Sequence, residues 1–470
     1  MVISQERVQL NGQQLEAVDY ILNSFETGTR VVGLYGTGGT GKTESAREIA
    51  NHLQRTGQII YLAPTNTAAK QLSRSLSKDG IQRRARTIAS ALGLVPTISE
   101  NGSMAFESAV NKEENESSLS SASYIFIDEG SMVSAKNAQA ILANAKPHTK
   151  ILILMDKYQL PPVNEYDIYF EKQVNSNYYE LTKTMRYSDT SYIYKVITAA
   201  RNAVISKNRN FNLLATFPQT IVDDADTNAG YYVKSESEGL WSLVRACRRM
   251  RELQKHDFVR CICWRNKEVN RINDFVRWGM FPGLGENMSY LTGELLVTTG
   301  AVQRTLMGRD MILYPTSTQL VVDRSFKIQV RDDDGTEWDA WETIVYDPDE
   351  DFNGNSRPLH HKVVLIDQYA RTAYYDKADK LQKGLKVAAD EFGYKSREWF
   401  KVLTKLKSFQ SLVDSIRPSY AITAHGSQGM SIDVSYLNLT DTMANRRDYD
   451  VRNRCNFVGA SRARNSLVVF

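Results

Sequence analysis

The stretch VVGLYGTGGTGKTESAREIA, Val31 to Ala50, constrains the fold more than any other. An apolar run enters a glycine-rich loop, and the loop opens a helical pattern. Gly36-x-Gly38-x-x-Gly41 fits a dinucleotide-binding turn, while Gly36-x-x-x-x-Gly41-Lys42-Thr43 fits a phosphate-binding P-loop. Either reading requires a strand–loop–helix unit whose loop amides face an anion at a helix N-terminus.

Three features favour the P-loop. Lys42 and Thr43 follow Gly41 directly, giving an ammonium for β/γ-phosphates and a hydroxyl for Mg2+. The next apolar run, IIYLAPT, ends in Pro64 and Thr65, where a dinucleotide fold would place a ribose-binding acid. A later run, YIFIDEG, ends in Asp128 and Glu129, where a P-loop enzyme keeps its Mg2+-holding carboxylate. Asp128 followed by Glu129 lets one carboxylate hold metal while the next polarises water, which suits ATP hydrolysis.

The first half alternates short apolar runs (RVVGLY, IIYLA, YIFID, ILILMD) with amphipathic helical patterns. Nearly continuous apolar runs of this length predict a buried parallel sheet, with the four strands side by side and helices on both faces. Leu94 to Ser121 interrupts the pattern. It reads as a hairpin around Glu100-Asn101-Gly102, followed by an acidic, Ser-rich loop. Helical patterning then runs to about Arg251. From Tyr290 strands with polar turns indicate a small β-barrel-like insert, and Arg371 to Ile416 is helical and Lys-rich. The end of the chain returns to α/β patterning.

At 470 residues the chain needs two or three domains. No run of about eighteen apolar residues predicts a membrane span, and the N-terminus lacks a signal-peptide core. A net charge of +4 means that any surface for nucleic acid must be local. The four cysteines form no CxxC pair, so reduced, buried thiols are expected rather than zinc. Cys261 and Cys263 alternate on one predicted strand.

Taken in order, the motifs resemble a superfamily 1B DNA helicase. Gln14 in LNGQQLEAV matches the adenine-reading glutamine. GTGGTGKT matches motif I, APTNTAAKQL motif Ia, RTIASALGL motif Ib and IDEGSM motif II. MDKYQLPPV is similar to motif III, LTKTMRY to the arginine motif IV, ITAHGSQGMSID to motif V and FVGASRAR to motif VI. The likeness spans nearly the whole chain and is strongest to the Dda-like helicases of T-even phages and the RecD-like branch. Departures are Met155 before Asp156 where the family has Gly, Ala89 where relatives have His, and Asn66 in place of a Dda His.

The resemblance implies an α/β fold of two RecA-like parallel-sheet domains. The first would be 1–185, with a β-hairpin pin insert at 95–120. The second would be 186–290 and 417–470, interrupted by an SH3-like β-barrel at 291–370 and a helical insert at 371–416. It also implies a monomer in the cytoplasm, with ATP and Mg2+ as cofactors and single-stranded DNA and fork junctions as partners. A single-stranded-DNA-binding protein and other replication or recombination proteins, in phage context, are further implied partners.

ATP would lie between the two domains, on Gln14 and the loop Gly36, Thr37, Gly38, Gly39, Thr40 and Gly41, with Gln428 beside it. Lys42, Glu129, Gln159, Arg186 and Arg462 would be catalytic, and Thr43 and Asp128 would hold the metal. Thr65, Asn66, Lys70 and Thr87 would grip DNA from one domain and Thr423 and His425 from the other. Phe106 on the hairpin would meet a base. Movement would be 5′ to 3′, with the hairpin as the wedge. The alternative is a single-strand translocase that displaces proteins and unwinds weakly.

Overall fold

In the computed structural model the described residues are 9–98, 104–108, 118–188, 190–224, 227, 229–281, 290–306, 309–348 and 358–470. The P-loop strand Val31–Gly36 lies between Lys150–Met155 and Tyr178–Leu181 in a six-stranded sheet. Beyond Lys150–Met155 follow Tyr124–Ile127, Ile59–Ala63 and Ala85–Thr87. All five pairings are parallel. The four predicted strands are therefore contiguous.

Their alternation explains the layers. Val32, Leu34, Leu152 and Leu154 pack with Ile21, Ile49 and Leu72 of helices Gly12–Glu26, Lys42–Leu53 and Asn66–Leu76. Tyr35, Ile151 and Ile153 face the other way, onto Ile141 and Phe170 of helices Ala135–Asn144 and Tyr169–Val174. Each buried Leu or Ile stabilises by roughly 1.5–3 kcal/mol. A sheet covered on both faces explains why its strands read as unbroken apolar runs.

A second six-stranded sheet has the order Ala421–Thr423, Val259–Cys263, Ile432–Leu437, Ala463–Val469, Ala229–Val233, Ile221–Asp224. All pairs are parallel except the last. Ile221–Asp224 and Ala229–Val233, which the pattern assigned to helix, form its edge. IVDD and AGYYV are not unbroken apolar runs, and the edge strand is largely exposed, so neither carries the signal of a buried strand. Val259–Cys263 is buried at every position, Arg260 included, because the strand is internal and covered on both faces. All four cysteines are free and buried.

The insert forms a five-stranded antiparallel sheet, His360–Ile366, Glu337–Tyr346, Gln319–Arg331, Leu295–Thr298, Ile416–Pro418. A two-stranded ribbon, Val302–Leu306 with Arg309–Tyr314, accompanies it. Helices Arg371–Phe392 and Arg397–Gln410 leave this sheet, and Ile416–Pro418 returns to close it. A buried pair anchors the insert to the second sheet: Arg277 Nε lies 3.1 Å from Glu294 Oε2. The hairpin is present as Leu94–Ile98 paired antiparallel with Met104–Ser108, and Pro96 stands opposite Phe106. Its expected turn at 100–102 lies outside the described residues.

Candidate nucleotide site and nucleic-acid channel

In a parallel sheet ligands collect at the carboxyl ends of the strands. Here successive strands deliver Lys42, Asp128, Asp156 and Arg186 to one edge of the first sheet, just beyond Gly36, Ile127, Met155 and Leu181. The loop is shaped by close approach. Gly41 has φ +91°, and a Cβ there would overlap Gln14 Nε2. Gly39 has φ +85°, and a Cβ would meet the Arg186 Cβ at 2.6 Å. Gln14 is fixed twice: it completes the capping box with Asn11, and its Nε2 donates to the Thr40 carbonyl at 3.1 Å. Thr40 Oγ1 donates to the Thr37 carbonyl at 2.9 Å. Thr43 stands in the first turn of helix Lys42–Leu53, whose N-cap is Gly41.

Lys42 Nζ donates to the Gly36 and Thr37 carbonyls at 2.7 and 3.2 Å. Three carboxylates face this ammonium. Burial pushes Asp128 above the ordinary carboxylate range, with Lys42 opposing the shift. Glu129 is raised by burial and by Asp128, against Arg462 and Lys42. Asp156 is raised by burial, again against Lys42. Its Oδ1 accepts from Tyr158 N at 3.0 Å, while its buried Oδ2 has no hydrogen-bond partner. Glu129 sits at φ 49°, a left-handed conformation uncommon outside glycine, and its amide donates to Asp128 Oδ1 at 2.9 Å. Gly130 follows because a Cβ there would meet Ile153 at 2.5 Å.

The other wall comes from the second sheet. Arg186 spans the cleft: one Nη donates to the Ser461 carbonyl at 3.1 Å and the other to Ser431 Oγ at 2.8 Å. Arg462 is buried and donates to the carbonyls of Val458 and Met430, each at 3.2 Å. Burial lowers its pKa, and Glu129 pulls it back up. A Cβ on Gly429 would lie 3.5 Å from Glu129 Oε1, so this loop of the second sheet abuts the Glu129 carboxylate. Gln428 Nε2 donates to Gln159 Oε1 at 3.3 Å and to the Leu160 carbonyl at 3.1 Å.

These residues fit a nucleotide with its metal. The loop glycines leave a cradle that any Cβ would fill. Lys42 rests on neutral carbonyls that phosphate oxygens can replace, and Asp156 keeps an open oxygen. Among the described residues no three His, Cys, Asp or Glu side chains converge on a metal position. That suits Mg2+, which binds through one or two protein groups plus substrate phosphates rather than in an all-protein cage.

A second cavity, of about 540 Å3, opens between both sheets and the insert. About half of its wall is apolar, with Val297, Ile422 and Met430, and the rest carries hydroxyls and amides: Thr67 from the first sheet's helix, Asn266, Asn270 and Thr423 from the second, Thr298 and Ser317 from the insert. Arg417 adds positive charge, while Arg371 is paired with Asp274 in the same wall. The insert roofs the cavity through three contacts with the motif Ia helix. Asn66 Nδ2 donates to the Thr316 carbonyl at 3.4 Å, Thr67 Oγ1 to the Ser317 carbonyl at 2.7 Å, and Lys70 pairs with Asp347. Neutral donors with a few cations suit a sugar–phosphate backbone and carry no sequence reading.

The family model for the AAA domain matches residues 9–210. The match covers 202 of the 470 residues and includes the whole first sheet. No curated protein matches the chain. Among solved structures, a Pif1 helicase from Candida albicans aligns over 98% of this chain and 94% of its own, at 14% identity and a TM-score of 0.48. A Pif1 helicase from Bacteroides, in complex with ADP-AlF3 and ssDNA, aligns over 98% of this chain and 92% of its own, at 16% identity and a TM-score of 0.45. Such scores carry no residue roles across.

The first sheet and its loops thus gather Gln14, the loop Gly36 to Thr43, Asp128, Glu129, Gln159 and Arg186 at one cleft, with Arg462 and Gln428 opposite. On the channel side Thr423 lines the wall, and its Oγ1 accepts from Gly426 N at 3.1 Å. Thr65 and Thr87 both act as helix N-caps, accepting from Ala68 N and Ser90 N at 3.2 Å each. Burial lowers the His425 pKa, and its ring bonds to the Pro161 backbone. His425 is therefore engaged with the loop that follows Gln159. The Phe106 side chain lies outside the described residues. Trp399 and Tyr420 are core residues, and Trp264 packs against the core of the second sheet.

Sequence reasoning missed Arg454. It donates to the carbonyls of Lys157 and Gln159 at 3.0 and 2.6 Å, tying the last long helix to the loop after Lys150–Met155 of the first sheet. The open oxygen of Asp156 was missed as well, although the residue stood in a motif. No helix among the described residues is long and apolar enough to cross a membrane.

Proposed function

We propose that the chain is a superfamily 1B DNA helicase. ATP hydrolysis in the cleft drives it along single-stranded DNA, 5′ to 3′, and the hairpin 94–108 parts the duplex. One observation carries this reading: the nucleotide cleft and the hydroxyl-lined channel both lie between the same two sheets. Any change in the separation of the sheets at the nucleotide must alter the channel.

Lys42 and the loop amides hold the phosphates, and Gln14 sits against the loop where adenine would be read. Mg2+, held by Thr43 and Asp128, would neutralise charge on the β- and γ-phosphates. Glu129 takes the proton of the attacking water. Its raised affinity for protons suits a base, because the best catalytic pKa lies near the working pH. Arg186 and Arg462 stabilise charge spread over the transferred oxygens. Gln159 and Gln428 couple motif III to motif V. In the channel, Thr67, Asn66, Lys70 and Thr87 grip from the AAA domain and Thr423 from the second sheet, by turns. Separating one base-pair step costs about 1.4 kcal/mol of stacking, so geometry rather than energy limits the wedge.

The test is ATP-driven unwinding of two duplexes, one with a 5′ and one with a 3′ single-stranded tail, with Lys42→Ala as the inactive control. Unwinding from the 5′ tail alone is expected. Unwinding from the 3′ tail would reject the direction. DNA-stimulated hydrolysis without unwinding of either would replace the helicase by a translocase.

A further inference from the structure

One surface away from the cleft and the channel carries an unusual set of side chains. Helices Glu236–Glu252 and Asn266–Met280 pack side by side on the second sheet and touch at Gly279, where a Cβ would meet Val244 at 2.8 Å. Where they meet, Trp241 and Trp278 stay 40% and 56% exposed. With Phe275 they form one aromatic triad, the ring centroids 5.4, 5.8 and 6.0 Å apart. Arg245, Arg248 and Arg249 follow Trp241 on its helix, all exposed. None of the three is ion-paired among the described residues. Arg248 donates instead to the Gly279 carbonyl at 2.5 Å, which holds it at the helix crossing. Next to it a cavity of about 410 Å3 has Met280 and Phe281 as its apolar side and Arg248, Arg251 and Glu252 around them. The Arg251 guanidinium lies 5.1 Å from the Phe281 ring centre.

We infer that this face docks an acidic segment of another protein that carries an aromatic side chain. The ring enters beside Met280 and Phe281 and reaches the tryptophans; the carboxylates meet Arg245, Arg248 and Arg249. Tryptophan and arginine dominate the energetics of protein interfaces. Two neighbouring exposed tryptophans are a costly arrangement to leave in water. The charge favours acid: three arginines with no ion pair among the described residues outnumber Glu238 and Glu252, the exposed carboxylates beside them on the same helix. A nucleic-acid strand suits the face less. Base stacking needs free ring faces, and these rings pack against one another at 49–70°. Asp274, one turn before Trp278, also lines the channel wall and pairs with Arg371, placing a carboxylate between the patch and the channel.

The test uses the full chain and a fluorescein-labelled twelve-residue peptide of Asp and Glu with one Phe. Comparison peptides replace Phe by Ser, or the acids by Lys. Binding by anisotropy is expected for the acidic Phe peptide only. Trp278→Ala and Arg249→Glu should each weaken it about tenfold or more, with DNA-stimulated ATPase unchanged. No binding, or equal binding by both variants, overturns the inference. Variants that lose single-stranded DNA affinity instead would make the face a nucleic-acid site. A change from dimer to monomer in Trp278→Ala on sedimentation would make it a self-interface.

Discussion

Arg186→Ala separates two roles that the structure allows for one side chain. The guanidinium makes two bonds across the cleft, at 3.1 and 2.8 Å. Hydrogen bonds from a charged group contribute about 1.5 kcal/mol each at the low end, so roughly 3 kcal/mol favours closure. If closure were its whole role, losing it would raise KM for ATP by roughly a hundredfold, since about 1.4 kcal/mol is a factor of ten. Saturating nucleotide would then restore kcat. A transition-state role predicts more: a supplied arginine is worth at least about a thousandfold in kcat, or about 4 kcal/mol. The assay is steady-state ATPase at saturating ATP and DNA, with nucleotide affinity measured separately using a fluorescent analogue. The expected result is a loss of about a thousandfold in kcat. Arg186→Lys should recover little, because a compact ammonium does not reproduce the planar fork that places two donors on separate acceptors. A kcat within tenfold of the parent, with KM alone raised, would refute the assignment.

Glu129→Gln should cost a hundredfold or more in hydrolysis, the usual worth of a general base. It should also raise the thermal midpoint at neutral pH. A carboxyl raised by burial binds its proton more tightly folded than unfolded, so its contribution to stability is lost as pH rises through the folded value. The gain from Gln should therefore fade below about pH 4; an unchanged midpoint at every pH would contradict the burial argument. The acidic limb of kcat/KM should lie above the ordinary carboxylate range for the same reason, as initial rates across pH would show. Deleting Thr97 to Phe106 should abolish unwinding and spare DNA-stimulated ATPase; unwinding that survives removes the hairpin as the wedge. Asp347→Asn should speed association with closed circular single strands by no more than about fivefold, because a partly exposed ion pair is worth up to about 1 kcal/mol. Stopped-flow binding would measure this, and equal rates on circles for parent and variant would mean that the Lys70–Asp347 contact over the cavity does not limit entry of the strand.

Half of the nucleotide site was legible because it is local. Gly36 to Thr43 are consecutive, and Asp128 and Glu129 sit at the end of an apolar run that only a buried strand explains. Arg186 and Arg462 carry no such local signal; they came from the resemblance, and the structure brings both to the cleft. The roof of the channel was not legible. Lys70 and Asp347 are 277 residues apart, and nothing in either neighbourhood names the other. Arg260 and Arg277 were not singled out: nothing in either neighbourhood marks these two arginines as fully buried. Arg277 is paired there with Glu294, and Arg260 donates to the Val259 carbonyl at 2.6 Å. The edge strands Ile221–Asp224 and Ala229–Val233 were lost to helix because neither is an unbroken apolar run, the sign by which the internal strands were read.

The cations around the nucleotide cleft share one trait. Lys42 rests on the carbonyls of Gly36 and Thr37, Arg186 on that of Ser461, and Arg462 on those of Val458 and Met430. Their acceptors there are uncharged main-chain oxygens rather than carboxylates. Their charge is therefore held ready but not neutralised, and the cleft keeps a standing attraction for a polyanion. When such an ion enters, each cation exchanges a neutral carbonyl for an anionic oxygen, and no salt bridge within the protein has to break first. A grip that must be made and released once per cycle is thereby reversible at low cost. The Lys70–Asp347 contact over the channel is built the opposite way, as an ion pair, and so suits an event that happens once per encounter rather than once per step.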